Sequence, residues 1–238
     1  MTKKKIMMAA MSAGLVAVVG VGGTLAYLSA QSEVVNNTFT VGTGYITDDD
    51  GHTGIVLDEA KVNEDGTVDV GTRVDGNQEY PNLLPGDTKV KDPTVRFVAG
   101  SVKSYIFAKV EGTEYADGRF LTVGGWNTED WMKVSDLEGD VPFDTTGDGY
   151  YLYVGELADS NYVVDLDDEV ASGIYTEKQN VSLGAIFNSI TFENVNNEQF
   201  EAVSPDFDDA AIKVSACAVQ AANDGSTWED AFGEATFK

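Results

Sequence analysis

The chain predicts an all-β fold, a two-sheet antiparallel β-sandwich with short helical elements and long loops, on three observations. Short runs of β-branched and aromatic residues recur along its 238 residues, and clusters of Gly, Asp and Asn separate the runs. Beyond the N-terminus no stretch carries the 3.6-residue periodicity of a long amphipathic helix. The length suits one large β domain, and no fixed-period repeat divides it.

The first 30 residues read differently from the rest. Lys3, Lys4 and Lys5 precede an apolar run over residues 6–23, followed by the small-residue stretches Thr24-Leu-Ala26 and Leu28-Ser-Ala30. A basic start, an apolar stretch and small residues at a cut site are the parts of a secretory signal. Ser12, Gly14, Gly20, Gly22 and Gly23 weaken the run as a permanent membrane span. Cleavage is expected between Ala26 and Tyr27, leaving residues 1–26 as signal peptide and 27–238 as a single β-sandwich domain. Membrane contact is then confined to the uncut signal.

Within that domain Asn37-Thr-Phe-Thr-Val41 reads as a first strand, with Tyr45-Ile46 as an extension, and residues 55–57 and 68–70 are shorter candidates. Asp48-Asp-Asp-Gly51 and Asn63-Glu-Asp-Gly66 are turns, and residues 58–80 are polar enough to predict a mobile insertion. In Leu83-Leu-Pro-Gly-Asp87, proline presets φ at the second position of a type II turn and glycine accepts the positive φ of the third. Residues 102–110 alternate an apolar row (Val102, Ser104, Ile106, Ala108, Val110) with a mixed one (Lys103, Tyr105, Phe107, Lys109), predicting a core strand with a partly covered outer face. Residues 150–154, 187–192 and 212–219 supply three more strands. Ser226-Thr-Trp-Glu229 fits a capping box ahead of a short helical turn. Residues 112–175, rich in Asp/Gly turns, read as a loop-rich insertion in the same domain.

Forty acidic residues against fifteen basic ones give a formal charge of −25. Nucleic acid, whose phosphates need Lys and Arg, is excluded as a partner, and anionic lipid is disfavoured. The single cysteine, Cys217, lies among small apolar residues in a strand pattern and is expected to be buried and inert; no intramolecular disulfide is open to it. A zinc peptidase needs several imidazole ligands, and this chain has one histidine, His52, in an Asp-rich loop. The reading is therefore not an enzyme, with no catalytic residues and no cofactor. Asp144-Thr-Thr-Gly-Asp-Gly149 and Asp48-Asp-Asp-Gly51 bring oxygen ligands together around glycine turns as calcium loops do, making Asp144 and Asp148 weak calcium candidates, but neither loop has the spacing and closing Glu of an EF-hand, and Asp and Gly are also what plain turns select.

Three segments, taken in order, resemble the TasA/camelysin family. The first is Gly22-Gly-Thr-Leu-Ala-Tyr27 with Asn36-Asn-Thr-Phe-Thr-Val-Gly42. The second is Asn82-Leu-Leu-Pro-Gly-Asp-Thr88 with Lys91-Asp-Pro-Thr-Val95, Gly100-Ser-Val102 and Tyr105-Ile-Phe-Ala-Lys-Val110. The third is Leu183-Gly-Ala-Ile-Phe187, Ile190-Thr-Phe192 and Ala216-Cys-Ala-Val-Gln220. Together they cover about a third of the chain; residues 112–175 match nothing in the family's pattern.

The resemblance implies a jelly-roll-like sandwich exported from a Gram-positive bacterium through the signal peptidase SipW, destined for the extracellular matrix or cell surface. It further implies a subunit of biofilm-matrix fibres that self-associates, or co-assembles with related subunits, by donating its freed N-terminal strand to a neighbour. Tyr27, Leu28, Val34, Val35, Phe39 and Val41 are the donor-strand candidates. The same residues also fit an ordinary first strand folded into its own sheet. A calcium-dependent cell-surface adhesin is the alternative function, and a metallopeptidase, as camelysin-like relatives have been classed, lacks its ligands here.

Overall fold

The computed structural model describes residues 29–31, 44–81, 83–113, 121–134, 146–193, 212–222 and 226–237. They form three antiparallel sheets, as the all-β reading expects. The first has the order β1 (Ser29–Gln31), β12 (Lys213–Gln220), β6 (Ser104–Glu111), β9 (Gly149–Tyr153) and β8 (Trp131–Lys133). The second runs β10 (Asn180–Ala185), β5 (Thr94–Val98), β2 (Ile55–Val62), β3 (Val68–Val74). The third is β4 (Thr88–Val90), β11 (Ser189–Phe192), β7 (Leu121–Gly124). Two short helices, α1 (Asp167–Ser172) and α2 (Trp228–Glu234), complete the described elements.

The centre of the molecule is the ladder between β6 and β12, which pairs all eight residues of each strand from Lys213 opposite Glu111 to Gln220 opposite Ser104. Period-2 alternation divides these strands between two interiors. Ile106, Ala108, Val110, Ala216 and Ala218 face the second sheet and pack with Ile55, Val95, Phe97, Val181 and Leu183. On the reverse face Tyr105, Phe107, Cys217 and Val219 pack under Trp228 and Ala231 of α2, with the Phe232 ring 5.5 Å from that of Phe107. The outer face of residues 102–110 is thus covered more fully than the alternation predicts, because the C-terminal helix lies over it. Burial of this kind contributes about 2 kcal/mol per large side chain.

The second and third sheets are joined by one corner. Pro93 has no N–H, and Gly184 takes φ +86 where the β10–β5 register slips between Ser182 and Ala185. Pairing nonetheless continues through it: the Ile186 N–H donates to Pro93 O at 2.9 Å and the Lys91 N–H to Asn188 O at 3.2 Å. The expected two-sheet sandwich is therefore realised with its second layer carried round a bend as two sheets.

Three other expectations change. Residues 58–80 contain a hairpin, β2 turning through Asn63 to Thr67 into β3, with the Gly66 N–H on Asn63 O at 2.9 Å. Ion pairing makes this polar stretch strand: Arg73 reaches Asp58 and Asp92, at 2.8 and 2.5 Å. Residues 112–175 hold β7, β8, β9 and α1, and β9 and β8 extend the central sheet, burying Trp131 and Tyr151 completely. Finally, the capping box sits one residue later than predicted, the Thr227 N–H donating to Asp230 Oδ2 at 3.0 Å. The turn at residues 84–87 forms as read, with Gly86 at φ +91 and the Asp87 N–H on Leu84 O at 2.9 Å. The strand expected at residues 37–41 lies outside the described residues.

Candidate functional site

The candidate site is the outer edge of β12. Its inner side is paired along its whole length with β6, but on its outer side β1 pairs only with the far end: Ser29 opposite Val219, Ala30 opposite Ala218, Gln31 opposite Cys217. Among the described residues, the outer side of positions 213–216 faces no strand. A strand edge left in this way presents a row of N–H and C=O groups to any incoming chain.

The rest of β12 is held firmly, so the edge is a fixed template. Ala216, Cys217, Ala218 and Val219 are fully buried, and β2 lies behind them across the sandwich. Cys217 meets its expectation of burial: desolvation pushes its thiol up to about 12, far from the reactive range. Tyr45 clamps the middle of the strand. Its hydroxyl donates to Ala218 O at 3.0 Å and accepts from Ser104 Oγ at 3.1 Å. Burial raises its phenol well above the ordinary value, against the opposing Ser104 hydrogen bond, so it stays a donor at every physiological pH. Ala218 is thus flanked by Ile106 on one side and Ala30 on the other, with Tyr45 on its carbonyl.

Gln31 and Tyr45 therefore both meet β12 within one residue of each other, at Cys217 and Ala218. The chain between them, residues 32–44, reaches roughly 45 Å when fully extended.

Of the residues singled out from sequence, Ala26 and Tyr27 at the cut site, the donor candidates Leu28, Val34, Val35, Phe39 and Val41, and Asp144 lie outside the described residues. Asp148 is described and is engaged as a structural pin: its carboxylate accepts the Gly112 N–H at 2.9 Å, the Thr113 N–H at 2.6 Å and the Thr113 hydroxyl. It fastens the start of the 112–175 stretch to β9, so its oxygens are committed to the fold. Among the described residues no group of three or more His, Cys, Asp or Glu side chains is placed to hold a metal ion. No helix among them is long and apolar enough to cross a membrane.

Ser29, Ala30 and Gln31 form a strand that the sequence does not announce. Small and polar residues carry no β signal, and next to the apolar run they read as the end of a leader. Only the neighbouring β12 edge makes them a strand. A scan of protein-family models, a search of curated proteins and a search of solved structures each found no match to this chain.

Proposed function

We propose that this chain is a secreted structural subunit of an extracellular, biofilm-matrix fibre of the TasA/camelysin kind, assembled by donation of the N-terminal strand to a neighbouring copy. One observation carries the reading: the first described strand, β1, is a three-residue edge piece whose only strand pairing is with β12, while the rest of the β12 edge faces no described strand. An edge strand of this kind exchanges between molecules without disturbing either core, because its hydrogen bonds are the same in both arrangements.

Cleavage after Ala26 by SipW releases the end of that strand from the membrane-inserted signal. In the register that sets Ala30 opposite Ala218, an incoming strand of the same sequence brings Val34 opposite Val214 and Val35 opposite Lys213. The contact is head-to-tail, so nothing closes it and a filament grows. Cleavage also removes Lys3, Lys4 and Lys5, taking the formal charge from −25 to −28 (−25 minus 3); this opposes the approach of copies, and mildly acidic conditions reduce that repulsion.

Electron microscopy tests this. Residues 27–238 are expected to form filaments, more readily at mildly acidic than at neutral pH. The uncut chain, and a cut chain lacking residues 27–35, are expected to stay monomeric. Normal filaments from the truncated chain would remove the donor strand from the account, and globules under every condition would remove the fibre.

A further inference from the structure

We infer that His52 is a proton-operated latch: as an imidazolium it ties the 48–53 loop to the end of edge strand β3 through Asp75 and, by way of Asp48, to the start of β10. Loss of the ring proton releases the end of β3.

The geometry requires the charged ring. Nδ1 lies 2.9 Å from Asp48 Oδ2 and Nε2 lies 2.7 Å from Asp75 Oδ2. A neutral imidazole has one N–H and one lone pair, so either tautomer sets a lone pair against a carboxylate; only the doubly protonated ring donates to both.

The partners come from separate parts of the fold. Asp48 is buried in the loop before β2, where its Oδ1 accepts the N–H groups of Asp50 at 3.0 Å and His52 at 2.8 Å. Its Oδ2 also accepts from Asn180 Nδ2, the first residue of β10, at 2.7 Å. Asp75 follows β3 directly. Asp49, which pairs with Lys178 ahead of β10 at 3.5 Å, and the exposed Asp50 lie in the same loop, and Arg73, two residues before Asp75, is turned to Asp58 and Asp92; none of them is bonded to the ring. Burial works against the charged ring, but hydrogen bonds to Asp75 and Asp48, together with their charges, outweigh it and raise His52 above its ordinary value.

β3 is the strand that such a latch governs. It is the outermost strand of its sheet, mostly exposed, and its register against β2 slips between Ala60 and Lys61. Asp69 Oδ1 takes the Gly71 N–H at 3.0 Å, blunting the free edge at that bulge. The far end, where Val74 pairs with Glu59, continues straight into the Asp75 contact. Because His52 is raised in the fold, the latch is closed in full below about pH 6.5 and opens as pH rises through the ring's own higher value.

The test is hydrogen exchange of the full chain between pH 6 and 9.5, corrected for intrinsic exchange, in peptides spanning residues 47–53 and 72–76. The His52 ring is titrated by NMR in parallel; as the only histidine it gives one signal. Protection in both peptides is expected to fall about tenfold with the ring's midpoint, the loss of a charge-assisted hydrogen bond. Asp75→Asn, at a side chain 60% exposed and so tolerated by the fold, is expected to lower that midpoint. His52→Gln is expected to leave protection low and independent of pH. Protection that is flat across the ring titration, a ring that titrates at or below about 6.5, or an unmoved midpoint in Asp75→Asn would overturn the latch.

Discussion

Arg73 on β3 donates from Nε to Asp58 Oδ1 on β2 at 2.9 Å, and the other oxygen of the same carboxylate takes Arg96 Nε from β5 at 2.6 Å. One carboxylate thereby joins three adjacent strands. Arg73 further reaches Asp92 Oδ2 and the carbonyls of Asp58 and Asp92, the last two at 3.0 Å each. Arg73→Ala leaves Asp92 without its cation and strips the edge strand of its side-chain anchor. A loss of about 2 kcal/mol is expected, read as a lower midpoint of urea unfolding with an unchanged slope.

Gly66 sits at φ +79 in the β2–β3 turn, and a Cβ there would lie 2.7 Å from Pro81 O. Both the backbone conformation and the backbone oxygen resist a side chain. Gly66→Ala is expected to cost about 2 kcal/mol, and Gly76→Ala, with open space around it, well under 1 kcal/mol. Thermal unfolding of the two variants side by side checks the contrast.

Acid stability is expected to depend on Asp48. Burial works to raise its carboxyl, but hydrogen bonds from Asn180 and His52 and the histidine's charge together outweigh it and hold it down at about 2. A depressed carboxylate contributes stability that is present above its unfolded value near 4 and is lost as pH falls toward about 2. Asp48→Asn is expected to lower the melting temperature at pH 5–6 and to flatten its decline between pH 4 and 2. A decline as steep as that of the parent chain would assign acid unfolding to other carboxylates.

Cys217 provides an internal probe of α2. Buried beneath Trp228 and Ala231, with its thiol pushed up to about 12, it is expected to react with a thiol reagent only after unfolding. Trp228→Ala, expected to cost about 3 kcal/mol, should raise the labelling rate at least tenfold under native conditions.

Whether β1 pairs within its own chain or with a neighbour is decided by cross-linking. Directly opposite residues in an antiparallel pair are close enough for a disulfide. Chains carrying Ala30→Cys and chains carrying Ala218→Cys, mixed and oxidised, are expected to give linked dimers if the strand is exchanged. The double variant in a single chain would close on itself if it is not. Wild-type Cys217 is too buried to contribute background.

Much of the fold was legible in the residues. The Pro-Gly turn at 85–86 and the small apolar run around Cys217 appear in the structure as read, and the alternation over 102–110 appears as a strand from Ser104 whose outer face is covered more fully than read. What went unread was strand whose pairing depends on a partner far away in sequence. Residues 68–70 read as a strand candidate, but Gly71, Thr72 and Arg73 look like the polar loop beyond it, and they become strand because Asp58, Asp92 and Thr94 receive the arginine. Residues 29–31 carry no β preference at all. As a lone histidine, His52 argues only against a zinc catalyst in the sequence; its two carboxylates lie 4 residues before it and 23 after it, and only the second is beyond local pattern.

By itself the sequence determined the class of the fold, the net acidity of the chain and the burial of the lone thiol, because burial period, net charge and neighbouring side chains are local or summed properties. Tertiary structure decided the rest: that α2 covers the second face of the central sheet, that β8 and β9 belong to that sheet, that His52 stands between two carboxylates, and that Ala30 lies against Ala218. Each is a contact between segments distant along the chain, and strand pairing has no period that a single segment can display.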